Sequence, residues 1–177
     1  MTSSFFYSMI LLGISGKKRS GKNTVASYVK LLTNQTVEEF AFAQDLKLEL
    51  AAMLKVKVTD IEAQKDLYRP LLQALGVYRR QFNGADYWIN KCFRRILVSN
   101  AEVCIITDVR FLNELQAIEQ AEGTVVRVTR GYSTDRHQSE TELDDYGFQY
   151  VIPNEGSLDQ LLGVTKVFAA KVGVKLK

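Results

Sequence analysis

The stretch that most narrows what this chain can fold into is "GKKRSGK", residues 16–22, where Gly, four residues, Gly and Lys stand between two regular patterns. Before it lies "MILLGIS", residues 9–15, an apolar run with the look of a short buried strand. After it, Val25, Ala26, Tyr28, Val29 and Leu32 recur near helical spacing and predict a helix over residues 22–33. Strand, glycine-rich turn and helix in that order are the context a phosphate-cradling loop requires. Gly16 and Gly21 allow backbone conformations that turn successive N–H groups toward one anion, and a helix opening at Lys22 adds its positive end. Lys22 would reach the β- and γ-phosphates, with Lys17, Lys18 and Arg19 raising the local potential. The competing reading is a basic surface turn. The dinucleotide pattern GxGxxG is absent.

Such loops carry Ser or Thr after the lysine, and the hydroxyl helps to hold Mg²⁺. Here the residue is Asn23, with Thr24 one place late and rotated about 100° around the helix. Mg²⁺ keeps much of its water. Asn23 is therefore expected to act through a water molecule, with Asp108 supplying the nearest carboxylate, also through water.

Strand and helix patterns alternate along the rest of the chain. Strands are predicted over residues 37–43, 102–107, 124–129 and 148–152. Helices are predicted over 44–54, 59–66, 69–82, 87–99 and 112–122, and from a Ser157 cap to about 172. Gly123 is placed to stop the helix before it. Five short apolar strands separated by helices imply an α/β fold, a parallel sheet covered on both faces, with its ligand at the carboxyl ends of the strands. Three groups fall at that edge: the loop after the first strand, Asp108 after the third and Arg130 after the fourth. The alternative for Asp108 is an N-cap for the helix near Leu112. Arg110 reads as a phosphate contact against a surface ion pair, and Glu114 as an acid favoured in a first helical turn.

A chain of 177 residues, 46% of them hydrophobic, is one domain with room for an insertion. Its 23 basic and 20 acidic residues leave a net +3, too mild to indicate a nucleic-acid partner, and acids are interspersed, as in "TELDD". Cys92 and Cys104 match no metal or CxxC spacing and read as buried free thiols of a reducing compartment. The first residues carry no positive n-region and no apolar run of membrane-spanning length. Residues 1–8 read as a short extension and the chain as cytoplasmic, without a membrane partner.

The blocks "GKKRSGKNT", "FAFAQDLK", "RPLLQALG…R", "DYW", "TDVRFLNE", "VVRVTR…DRHQSE" and "VIPNEGSLDQL" follow one another from residue 16 to 161. In that order they resemble the phage deoxynucleoside monophosphate kinases, P-loop enzymes that move phosphate from ATP to dNMPs. Members often carry Asp where this chain has Asn23, so a non-hydroxyl residue there belongs to the pattern, although the neutral amide departs from it. The resemblance implies a P-loop kinase sandwich with a core over residues 9–43 and 101–177. It adds a helical monophosphate-binding insertion over 44–100 and a small lid over 130–147. ATP and Mg²⁺ are the implied cofactors, dNMP and ATP the partners, and a host cytoplasm the setting if the chain is phage-encoded. The assembly state stays open, a homodimer among the alternatives.

The resemblance also distributes roles. Gly16, Lys17, Arg19, Ser20, Gly21, Lys22, Asn23 and Thr24 hold ATP, and Lys22, Asp108, Arg110 and Arg130 form the catalytic set. Lys47, Arg69, Gln73, Arg80, Trp88, Arg110, Arg136 and Glu140 bind the acceptor. Within that group Arg69 and Arg80, three helical turns apart, go to the dNMP phosphate, and Gln73 and Trp88 lie near the base. For Trp88 a place in the core is the equal alternative. Arg130 and Arg136 close over the transferring group from the lid, where Glu140 pairs with an arginine. His137 reads as a hydrogen bond within the lid, and Arg79, Lys91, Arg94 and Arg95 as a solvated basic face. Two further readings stay open: another small-molecule P-loop kinase, acting for example on dephospho-coenzyme A or a sugar acid, and a nucleotide-dependent nucleic-acid-binding protein.

Overall fold

The computed structural model describes residues 9–131 and 138–177. Its centre is β1 (Ile10–Ser15), whose Leu11, Leu12 and Ile14 are all buried, so that both faces of the strand must be covered. β3 (Val103–Val109) pairs with it in parallel, Ile10 opposite Val103 and Gly13 opposite Ile106. β2 (Val37–Phe40), β4 (Thr124–Thr129) and β5 (Tyr150–Pro153) complete an all-parallel sheet in the order β2-β3-β1-β4-β5. This is the five-stranded α/β sandwich that the sequence predicts.

Alternation along β1 divides the core. Leu12 and Ile14 face α1 (Lys22–Leu32) and α8 (Leu158–Lys171), packing with Val25, Val29, Leu161 and Phe168. Leu11 faces the other layer, where α5 (Tyr87–Leu97), α6 (Leu112–Gln120) and the start of α2 (Phe42–Leu54) contribute Ile89, Ile96, Leu115 and Phe42. Between β2 and β3, α2, α3 (Val58–Ala63) and α4 (Lys65–Asn83) enclose a separate small cluster of Leu50, Ala51, Ile61 and Leu75. α7 (Gln138–Thr141) is a single turn in the segment read as a loop.

Several boundaries differ from expectation for identifiable reasons. Arg69-Pro70 does not start a helix: α4 runs unbroken from Lys65, with Pro70 inside it. Proline there removes one backbone hydrogen bond. Packing of Tyr68, Leu72 and Leu75 on the small cluster holds the helix through that point. β2 stops at Phe40 because the chain turns into α2, whose first N–H groups find a carboxylate on β3. β3 in turn extends through Asp108 to Val109. The left-handed residue that ends α6 is Glu122 (φ 60°), not Gly123. Gly123 is needed for close approach, since a Cβ would stand 2.9 Å from the Leu11 carbonyl oxygen. Cys92 and Cys104 are free and buried, and burial pushes their thiols up to about 12 and about 11. Among the described residues no helix is long and apolar enough to cross a membrane.

Candidate active site

The loop between β1 and α1 is built by backbone conformations that few residues adopt. Gly16 (φ 150°) and Gly21 (φ 101°) lie on the positive side, as does Arg19 (φ 64°) between them. A Cβ on Gly16 would stand 2.5 Å from the Val128 carbonyl oxygen, and one on Gly21 would run into the Asn154 amide. Asn154 follows β5 and is buried. Its Nδ2 donates to the Ser20 carbonyl at 2.9 Å, and its own N–H is tied to the Thr129 carbonyl at 2.8 Å. One side chain thus clamps the loop to the carboxyl edge of the sheet. Among the described residues Ser20 Oγ is buried with no hydrogen-bond partner, an orphan in the cradle that a bound anion would satisfy.

Lys22 folds back over this loop. Its Nζ donates to the carbonyls of Gly16 (2.6 Å) and Lys17 (2.8 Å), and burial first, with Arg110 second, lowers it from 10.5 to about 8. Gly21, Asn23 and Thr24 continue the lining of a cavity of about 650 Å³ that opens over the carboxyl ends of the strands. Lys47, Arg69, Gln73, Arg80, Asp108 and Arg110 line the same cavity, and so do Arg130 and Glu140. The structure therefore brings together most of the residues singled out from the sequence. Arg136 and His137 lie outside the described residues.

Individual roles shift on inspection. Asp108 does not cap α6. Its Oδ1 and Oδ2 accept the N–H groups of Phe42 (2.8 Å) and Ala43 (2.9 Å), fixing the start of α2 instead. Glu114 caps α6, its Oε2 accepting from Arg110 (2.8 Å) and Phe111 (3.1 Å). Full burial, then the nearby Asp108, pushes the Glu114 carboxyl up to about 8. Glu140 pairs with Arg110 and also accepts the backbone N–H of Lys18 at 2.8 Å. Asp144 pins the same region, bridging Lys17 (2.7 Å) and Arg127 (2.8 Å). Trp88 is 2% exposed and donates Nε1 to the Gly76 carbonyl at 3.4 Å, so it is a core residue with one edge on the cavity.

The basic face on α4 and α5 is not simply solvated. Arg95 reaches Asp45 (3.0 Å) and the Ala41 carbonyl (2.9 Å), while Arg79 and Lys91 converge on Glu49. These pairs tie both helices to α2. Asn154, Lys65, Phe42 and Phe111 were not legible as site residues. Asn154 had a weak signal, a polar residue directly after a strand. Lys65 had only its spacing of four from Arg69.

A glycine-rich anion cradle between β1 and α1, at the carboxyl edge of a parallel sheet of this order, defines the P-loop kinases, and the chain is a kinase-like phosphotransferase. Residues 14–124 match the phosphomevalonate kinase family, and the chain belongs to it. A provisionally named deoxynucleotide monophosphate kinase of Acanthamoeba polyphaga mimivirus is 28% identical over 182 residues, spanning 86% of this chain and 92% of that protein. The uncharacterized protein ORF77 of Ictalurid herpesvirus 1 (strain Auburn) is 28% identical over 144 residues, covering 76% of this chain and 59% of that protein. The crystal structure of TT1252 from Thermus thermophilus superposes with a TM-score of 0.52 at 17% identity, covering 92% of this chain and 97% of that one.

Proposed function

We infer that the chain moves the γ-phosphate of ATP to the phosphate of a deoxynucleoside 5′-monophosphate, giving a dNDP and ADP. One observation carries the reading: a phosphate cradle and a separate group of cations, Lys47, Lys65, Arg69 and Arg110, line one cavity. Two anionic substrates repel each other, and transfer between them needs that repulsion cancelled from several sides. The acceptor oxygen is largely ionised near pH 7, since the second phosphate pKa is about 6. A general base is therefore unnecessary, and the cavity offers positioning and charge. The resemblance to phage dNMP kinases and the name of the mimivirus relative support a deoxynucleotide acceptor.

The loop suits a triphosphate, with glycines where a Cβ would clash and an orphaned Ser20 hydroxyl. Among the described residues no group of three or more His, Cys, Asp or Glu could hold a metal ion directly. That suits Mg²⁺ carried on phosphate oxygens and water, with Asn23 and Asp108 holding it through water. Bound Mg²⁺ would neutralise phosphate charge. Lys22 would leave the Gly16 and Lys17 carbonyls for the phosphates, and Arg110 would exchange Glu140 for the transferring group. Residues 44–100 would act as the acceptor-binding insertion. Residues 130–147, carrying Arg130, would act as the lid that excludes water.

A second acceptor class follows from the family name, which describes a kinase of another phosphate-bearing molecule, phosphomevalonate. Trp88, Phe111 and Val77 add apolar and aromatic surface to the cavity lining, which favours a planar base over a small acid. Coupled ADP-release assays with dGMP, dTMP, dCMP, dAMP, their ribonucleotides and phosphomevalonate decide between them. No turnover of any nucleotide refutes the proposal, and Lys22→Ala should abolish transfer.

A further inference from the structure

One carboxylate of the chain itself sits on the phosphate loop. Glu140, in the single turn α7, is 7% exposed, and its Oε2 accepts the backbone N–H of Lys18 at 2.8 Å. The same carboxylate pairs with the Arg110 guanidinium, which also donates to the Ser139 carbonyl at 3.1 Å. It lies near enough to Lys22 Nζ to act on that ammonium as well. Taking a carboxylate out of water is costly unless cations and N–H groups take up its oxygens, and here the loop and Arg110 do so. The residues that follow are fastened elsewhere. Glu142 Oε1 accepts the Leu112 N–H at 2.9 Å, Leu143 is buried in the same layer as Leu115, and Asp144 bridges Lys17 and Arg127. With that stretch held, releasing the loop requires only that the Glu140 side chain turn away.

The two donors that Glu140 holds, a loop N–H and the arginine just beyond β3, are of the kind a transferring phosphoryl group needs. The rest of the cradle is left open by it. Among the described residues Ser20 Oγ has no partner, and α1 starts at Gly21 with no side chain capping its first N–H groups. A diphosphate can therefore settle on the loop and the positive end of α1 while Glu140 stays in place. A third phosphate must take Arg110 and the Lys18 N–H from the carboxylate, because two anions crowded onto the same donors repel each other.

We propose that Glu140 is an internal competitor of the γ-phosphate, a latch that ATP must open and that ADP leaves shut. This rests on the kinase reading above. Where only the unlatched fraction of the protein accepts a triphosphate, the apparent affinity falls by that fraction, while a ligand that binds both states equally is unaffected. The latch thus lowers the affinity for ATP relative to ADP. Isothermal titration calorimetry measures the Kd of ADP and of a non-hydrolysable ATP analogue, each with Mg²⁺, on the wild type, Glu140→Gln and Glu140→Asp. Circular dichroism checks folding. Glu140→Gln keeps the shape and loses the charge that pairs with Arg110. It should tighten the analogue by roughly 10- to 100-fold, the worth of one hydrogen bond to a charged group, and leave ADP nearly unchanged. Glu140→Asp, one methylene shorter, should move the ratio the same way by less. A folded Glu140→Gln whose analogue-to-ADP preference is unchanged or reduced would make Glu140 a fixed support of Arg110, which overturns the latch and leaves the kinase reading standing. Should neither variant fold, the wild type decides: it should hold ADP at least as tightly as the analogue, and a clear preference for the analogue refutes the latch. Binding of neither nucleotide by the wild type would overturn the kinase reading and the latch together.

Discussion

Replacing Asn154 by alanine tests whether the phosphate loop is held in shape from the far edge of the sheet. Asn154 is 7% exposed, and its Nδ2 makes a 2.9 Å hydrogen bond to the Ser20 carbonyl. Truncation removes that donor and strands a carbonyl inside the loop, which costs about 1–3 kcal/mol because the unpaired group keeps its desolvation penalty. The backbone bond to Thr129 survives, so the strand end itself stays in place. At about 2–4 °C per kcal/mol for a chain of this size, thermal melting should fall by roughly 2–12 °C. Because the freed segment is the anion cradle, the KM for ATP should rise together with the loss of stability. Asn154→Asp keeps the shape but sets an acceptor against an acceptor, and it should do at least as much damage. Differential scanning calorimetry and the ADP-release assay read both effects. A melting point within about one degree of wild type, with an unchanged KM for ATP, would show that the clamp holds nothing.

Two titrations add predictions of definite sign. Lys22 sits near 8 in the folded chain, so its ammonium is lost as pH rises through that value. The KM for ATP should climb above pH 8, and a flat profile from about pH 7 to 9.5 would contradict the assignment. Glu114 is raised from 4.5 to about 8, so the folded state holds that proton more tightly than the unfolded one. Stability should decline as pH climbs from about 4.5 and level off above 8. Glu114→Gln should flatten that slope in urea midpoints measured near pH 6 and pH 9, and a slope unchanged by the substitution would remove Glu114 as its source.

The sequence by itself determined the sheet, the phosphate loop and the edge where the two meet. Each is local: an apolar run with both faces covered, two glycines at a fixed spacing, and a strand that carries Asp108 near its end. Periodicity and turn chemistry act over a few residues, so they survive without knowledge of the fold. What Asp108 holds was not local. Its carboxylate caps α2, sixty-six residues earlier in the chain, through Phe42 and Ala43. The helical spacing of Arg69 and Arg80 was legible, but not that Arg69 would approach Asp66 while Arg80 lies over the Phe111 ring. Neither the pairing of Glu140 with Arg110 nor the Asn154 clamp leaves a mark in its own stretch of chain. Charge pairing and buried hydrogen bonds are satisfied by whichever partner the packing delivers, and only the tertiary structure chooses that partner.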